Sequence, residues 1–90
     1  METITTLELA KITGLYKYTL RNYLGNYRFN KYRLTNRDGL YSLYEISYDF
    51  LNTLYNFFLL RVKHKPADKL QKHFKDFNFK VMNYEEFLQC

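Results

Sequence analysis

The side chains of this chain that are best suited to bind a ligand are basic and aromatic. Among 90 residues there are 14 Lys or Arg against 9 Asp or Glu, a formal net charge of +5, and 10 Tyr with 8 Phe. Residues 17–37 contain six basic residues and no acidic one: Lys17, Arg21, Arg28, Lys31, Arg33 and Arg37. Such a segment favours a polyanionic partner, although a basic surface also serves solubility alone.

The sequence contains few of the residue types that catalysis or metal binding requires, and they do not occur in usable combinations. Cys90 is the only cysteine, and the two histidines, His64 and His73, lie in lysine-rich segments. Neither an activated nucleophile nor the short paired spacings of a zinc site can be assembled from them. The three glycines are isolated, so no phosphate-binding loop is present. We therefore expect a protein that is not an enzyme and that has no metal or other cofactor.

Residues 5–24 have the pattern of a helix-turn-helix. Thr5 and Glu8 are spaced as a capping box, and Gly14 suits the left-handed conformation that ends a helix. The first helix is expected to bury Leu7, Ala10 and Ile12. The second, residues 16–24, is expected to bury its leucines and Tyr23 and to present Lys17, Tyr18, Arg21 and Asn22. Arg and Asn are the side chains that read guanine and adenine in the major groove; the alternative is a helical hairpin with a solvated polar face.

The segment GLYKYTLRNYL, residues 14–24, resembles part of the winged-helix DNA-binding heads of MerR-type proteins and phage excisionases. In those proteins the segment reads Gly-Val-Ser-x-x-Thr-(Leu/Ile)-Arg-x-Tyr. The matching positions are Gly14, Leu15, Thr19, Leu20, Arg21 and Tyr23. The resemblance extends over about residues 5–51 and implies a recognition helix that lies in the major groove. Tyr16 stands where the family has a serine cap, so this helix should start without the usual hydroxyl.

The resemblance also implies a β-hairpin after the recognition helix, which is called the wing in such proteins. Here the wing would be residues 27–45. We expect an extended segment at 27–35, a turn at 36–39 that contains an Asp-Gly pair, and a returning strand at 40–45. Its basic residues Arg28, Lys31, Arg33 and Arg37, together with Tyr16 and Thr19 of the helix, are the predicted phosphate contacts. The alternative is that these charges only solvate the hairpin. Ser42 replaces an arginine of the family, so the contact of the wing with the first helix or with phosphate is expected to differ.

A long aromatic helix is predicted at residues 47–63, with Ser47 as its N-cap. Its apolar stripe is predicted to be a dimer or partner interface, and the alternative is a monomeric core: Leu51, Leu54, Tyr55, Phe58 and Val62. Residues 66–89 are expected to form a helical tail, with one helix that starts at Pro66 and a last short helix capped by Asn83. Neither a signal peptide nor a transmembrane stretch is visible, so we expect a cytoplasmic protein with no membrane partner.

Taken together, the sequence predicts one mainly α domain with a small β-hairpin. It would be a winged helix-turn-helix followed by a long aromatic-rich helix and one or two short C-terminal helices. The expected function is sequence-specific binding of double-stranded DNA, as a homodimer or cooperative array. The resemblance favours an excisionase-like accessory factor or a small phage or plasmid transcriptional repressor. The alternative is a protein-interaction module or small inhibitor that binds through the aromatic helix 47–63. Binding of single-stranded nucleic acid by stacked tyrosines is a third, less favoured hypothesis, because no suitable barrel or sheet pattern is visible.

Overall fold

The computed structural model describes residues 2–37, 39–62 and 64–89, with the backbone alone at His64. Within them the chain forms two short strands, five α-helices and one 3-10 helix. In chain order these are β1 (Thr3–Thr5), α1 (Thr6–Thr13), α2 (Lys17–Leu24), the 3-10 helix (Tyr27–Tyr32), β2 (Leu43–Glu45), α3 (Tyr48–Arg61), α4 (His64–His73) and α5 (Tyr84–Leu88). The mainly helical class with a small antiparallel sheet is confirmed.

Two compact units are present, Met1–Ile46 and Ser47–Cys90. We call them the N-terminal and the C-terminal unit. The prediction that the whole chain is a single domain stays a prediction.

Helix α1 starts with the predicted capping box. The backbone N–H of Glu8 donates to Thr5 Oγ1 at 3.1 Å, and the N–H of Thr5 donates to Glu8 Oε1 at 3.0 Å. The face that α1 buries differs from the prediction. Leu7 and Ile12 are only half-buried, whereas the fully buried residues are Thr6, Leu9, Ala10 and Thr13. Two threonines lie on this face, and Thr13 satisfies its hydroxyl by donating to the carbonyl of Leu9 at 2.7 Å.

Gly14 ends α1 as predicted, with φ 74° and ψ 11° in the left-handed region. Its N–H donates to the carbonyl of Ala10 at 2.9 Å. Helix α2 follows and packs against α1, with Leu20 and Leu24 fully buried. Tyr16 caps α2 without a side-chain hydrogen bond, as the missing serine predicts.

We expect Gly14→Ala to lower the free energy of unfolding by about 1 kcal/mol, because a Cβ is disfavoured at this positive φ. Gly25 is the matched control, since it also follows a helix and is exposed but has φ −73°. Gly25→Ala should leave the stability unchanged or raise it by about 0.5 kcal/mol. Urea denaturation followed by circular dichroism measures both. If the two changes had equal effects, the positive φ of Gly14 would not be the reason for its effect on stability.

The predicted extended segment at residues 27–35 is wrong for most of its length, because Tyr27–Tyr32 form a 3-10 helix. The Asn26 side chain accepts from the N–H of Arg28 at 3.1 Å, and the Asn26 carbonyl accepts from the N–H of Phe29 at 3.0 Å. This local cap begins a helical turn that buries Phe29. Extended pairing begins only afterwards: Arg33 forms an isolated bridge with Tyr44, and the N–H of Leu34 donates to the carbonyl of Leu43 at 2.8 Å.

Strand β2 pairs mainly with β1. It pairs antiparallel with β1, with Ile4 opposite Tyr44 and both side chains buried. The loop before β2 also caps α1, because the N–H groups of Thr6 and Leu7 donate to the carbonyls of Ser42 (3.3 Å) and Leu40 (3.1 Å). The returning strand predicted at 40–45 is therefore present only as Leu43–Glu45. The predicted turn at 36–39 includes Asp38, which is outside the described residues.

The C-terminal unit is built on α3. Ser47 caps it as predicted, accepting from the N–H of Phe50 at 3.2 Å, and every residue from 50 to 58 is buried. Helices α4 and α5 both pack on α3. Helix α4 starts two positions before Pro66, which lies in its first turn, and α5 has the predicted Asn83 cap. Phe87 of α5 is fully buried, with its ring centroid 6.3 Å from that of Phe57.

Two buried asparagines of α3 hold the backbone of the segment that connects α4 and α5. The N–H of Lys80 donates to Asn52 Oδ1 at 2.8 Å, and the N–H of Met82 donates to Asn56 Oδ1 at 2.7 Å. Asn56 Nδ2 donates to the carbonyl of Lys80 and to that of Asn52, both at 2.8 Å. We call this set of bonds the asparagine clamp. It satisfies the polar atoms of Asn56, whose side chain is completely enclosed.

Candidate nucleic-acid interface

The exposed face of α2 carries basic, amide and phenolic side chains next to one another. Burial of Leu20 and Leu24 fixes which side of this short helix faces solvent. On that side Lys17 and Asn22 are exposed, Tyr18 is 40% exposed, and Arg21 is half-buried. The predicted base-facing residues of α2 are therefore together on one accessible surface.

Tyr18 lies at the centre of this surface. The Lys17 Nζ atom is 5.5 Å and the Arg21 Cζ atom 5.2 Å from the centroid of its ring, distances typical of cation–π contacts. The ring of Tyr16, which is 64% exposed, meets that of Tyr18 edge-on at 5.4 Å. Arg21 Nη2 also donates to Asn22 Oδ1 at 3.4 Å. These contacts restrain Arg21 while leaving it near solvent.

Four basic side chains of the N-terminal unit form no ion pair with another described residue. The one salt bridge among residues 2–37, 39–62 and 64–89 joins Lys80 Nζ to Glu86 Oε2 at 3.9 Å, in the C-terminal unit. Within the same described residues, ion pairs are therefore absent from Lys17, Arg21, Lys31 and Arg37.

The four basic residues of the predicted wing have unequal access to solvent. Lys31 and Arg37 are exposed, and Arg33 is half-buried with Nη2 donating to Asn30 Oδ1 at 3.0 Å. Arg28 is only 4% exposed; its Nη1 donates to the Asn26 side chain at 3.3 Å, and its guanidinium lies over the Tyr27 ring. The prediction that Arg28 contacts phosphate is therefore not supported by its placement.

Ser42 has a local structural role at the position where the resembled family has arginine. It is buried, and its hydroxyl donates to the backbone carbonyl of Arg37. The bond closes the loop that leads into β2, so this position supports the loop and supplies no charge. Thr19, predicted to contact phosphate, is half-buried on α2.

Two exposed tyrosines of the N-terminal unit were missed by the sequence analysis. Tyr41 is 77% and Tyr27 is 65% exposed, and neither belongs to α2. Nothing local in the sequence distinguishes them from the other eight tyrosines, several of which are partly buried.

The apolar stripe of α3 does not form a surface for a partner. Leu51, Leu54 and Phe58 are completely buried and Tyr55 is 7% exposed, which leaves only Val62 half-buried. Within the C-terminal unit, Tyr55 stacks on Phe79 with ring centroids 5.0 Å apart. The prediction that this stripe is a dimer or partner interface is wrong, because the chain itself covers it. Its alternative, a monomeric core, describes these residues.

Neither a metal site nor a membrane-spanning helix is found in the described part of the chain. No three His, Cys, Asp or Glu side chains there are grouped so that they could hold a metal ion. No helix among those residues has the length and apolar character needed to cross a bilayer.

Comparison of the chain with models of protein families, with curated proteins and with solved structures found no match.

Proposed function

We propose that the N-terminal unit binds double-stranded DNA in a sequence-specific manner, with α2 in the major groove. The observation that carries the proposal is the exposed face of α2, where Lys17, Arg21 and Asn22 are accessible and form no ion pair within the described residues. Arg pairs with the O6 and N7 acceptors of guanine, and Asn pairs with adenine. The exposed Lys31 and Arg37 and the half-buried Arg33 supply positive charge for the phosphate backbone.

The biological role that fits this proposal is regulatory or accessory. The resemblance of residues 14–24 to MerR-type and excisionase-type heads supports an excisionase-like factor or a small phage or plasmid repressor. Because a single α2 reads only a few base pairs, we propose that two or more copies bind adjacent sites. The buried stripe of α3 cannot join such copies, so their contact lies elsewhere on the chain or is made through the DNA.

The proposal is tested by fluorescence anisotropy on labelled duplexes. The duplexes are a DNA fragment from directly upstream of the protein's own coding sequence and a scrambled control of equal length. Wild-type protein is expected to prefer the native duplex. Arg21→Ala is expected to weaken that binding about 10-fold and to abolish the preference, because a paired contact with guanine is lost.

The matched control is Arg61→Ala, which removes an exposed arginine from the last turn of α3. It should leave both affinity and preference unchanged. Equal, weak binding of the two duplexes by wild type, unaffected by Arg21→Ala, would refute sequence-specific reading by α2.

A further inference from the structure

We infer that Tyr18 is a specificity-determining residue, and that the Tyr18–Arg21 pair reads a guanine together with the methyl group of a thymine in the adjoining base pair. This inference rests on the proposed function and names the chemical feature that α2 recognises. It assigns to Tyr18 an apolar contact with a base, made by its ring and not by its hydroxyl.

The spacing of Tyr18 and Arg21 along α2 brings their side chains together. Tyr18 and Arg21 are three positions apart on a helix, so their side chains share one face. The contact of 5.2 Å between the Arg21 Cζ atom and the ring centroid shows that they already touch in the free protein. Lys17 and Tyr16 flank the ring on the N-terminal side, which limits the directions in which it can turn.

The distance between Arg21 and the Tyr18 ring exceeds the separation of stacked base pairs. A guanidinium that pairs with guanine O6 and N7 lies near the plane of that base pair. Base pairs are stacked about 3.4 Å apart, so a ring whose centre is 5.2 Å from the guanidinium carbon can lie at the level of the next base pair when the ring is displaced along the duplex axis. The Tyr18 ring would therefore face the major-groove edge of a neighbouring base.

One base edge in the major groove suits contact with an aromatic ring. In the major groove the C5-methyl group of thymine is the apolar feature, and the other edges present hydrogen-bond donors and acceptors. Tyr18 is 40% exposed, so the ring retains surface for such a contact after packing against its neighbours. Covering a methyl group with this ring removes apolar surface from water.

The test begins with duplexes that wild-type protein selects from a random library. Selected sequences are expected to contain a guanine next to a thymine. Replacing that thymine by deoxyuridine removes only the methyl group, and is expected to weaken binding by wild type about fourfold. Replacing the guanine by 7-deazaguanine removes one acceptor of Arg21, and is expected to weaken binding about tenfold.

Two variants separate the ring of Tyr18 from its hydroxyl. Tyr18→Phe keeps the ring and should show the same fourfold effect of deoxyuridine as wild type. Tyr18→Ala should bind thymine and deoxyuridine duplexes equally while still responding to 7-deazaguanine. Thermal melting followed by circular dichroism checks that both variants fold.

Each result has a distinct meaning. If deoxyuridine affects wild type and Tyr18→Ala equally, or affects neither, the role of Tyr18 is overturned while DNA binding by α2 is retained. If wild type selects no duplex above background, both this inference and the proposed function are overturned. If Tyr18→Ala loses the discrimination between thymine and deoxyuridine while wild type and Tyr18→Phe keep it, the role of Tyr18 and the proposed function are both supported.

Discussion

Replacing Asn56 with leucine is expected to lower the free energy of unfolding by about 3 kcal/mol. Asn56 is completely buried, and its amide group bonds to the carbonyl of Lys80 and to the N–H of Met82. Leucine has a similar size but no polar atoms, so both backbone groups lose their partner on α3. Each buried polar group left without a partner costs about 1–3 kcal/mol.

Guanidinium chloride denaturation followed by circular dichroism measures this effect. Asn78→Leu makes the same chemical change at an exposed position and should alter stability by less than about 0.5 kcal/mol. Asn52→Leu, which removes the acceptor of a single bond to the N–H of Lys80, should give an intermediate loss. If Asn56→Leu were as stable as Asn78→Leu, the asparagine clamp would contribute nothing to the stability of the C-terminal unit.

Raising the salt concentration from about 50 to about 200 mM is expected to weaken DNA binding about 40-fold. Three basic residues, Lys31, Arg33 and Arg37, are the phosphate contacts of the proposed function. Each neutralised phosphate releases counterions and contributes a slope of about −0.9 to the dependence of log K on log salt. Three such contacts give a slope of about −2.7.

Single substitutions show which of these residues contribute. Lys31→Ala and Arg37→Ala are each expected to reduce the magnitude of the slope by about 1 and to weaken binding to all duplexes alike. Lys80→Ala is the control, because that ammonium group is already paired with Glu86 in the C-terminal unit. A slope that Lys31→Ala and Arg37→Ala leave unchanged would place the phosphate contacts on other residues.

Elements that depend on neighbouring residues were predicted well from the sequence. Thr5, Ser47 and Asn83 all cap the helices assigned to them, because a cap is made by groups three positions apart. Gly14 belongs to the same class, since its conformation is dictated by the end of α1. The exposed face of α2 also followed from periodicity alone.

Features that depend on distant residues could not be predicted in the same way. The bonds from Asn52 and Asn56 to residues 80 and 82 join parts of the chain that no local pattern connects. The location of the residues that cover the apolar stripe of α3 could not be predicted either. Helical periodicity shows that a face is apolar, but the residues that cover it lie elsewhere, so core and interface give the same pattern.

Two arginines of the candidate site show why the accessibility of a side chain could not be predicted from the sequence. Arg21 and Arg28 are both basic residues in a segment without acids, and the sequence treats them alike. Arg28 is buried and contacts the side chains of Asn26 and Tyr27. Arg21 is only half-buried and lies on the exposed face of α2. Net charge therefore indicated a basic segment, but not which of its side chains are accessible.

The pairing of β1 with β2 has a consequence for the order in which the N-terminal unit folds. Ile4 and Tyr44 are about 40 residues apart, so bringing them together costs about 3 kcal/mol of chain entropy. This cost falls late, after α1 and α2 have had the opportunity to form from local contacts. During synthesis the unit can be completed only when residue 46, whose N–H donates to the carbonyl of Glu2, has left the ribosome. The first strand of this unit is thus held in place by its last strand.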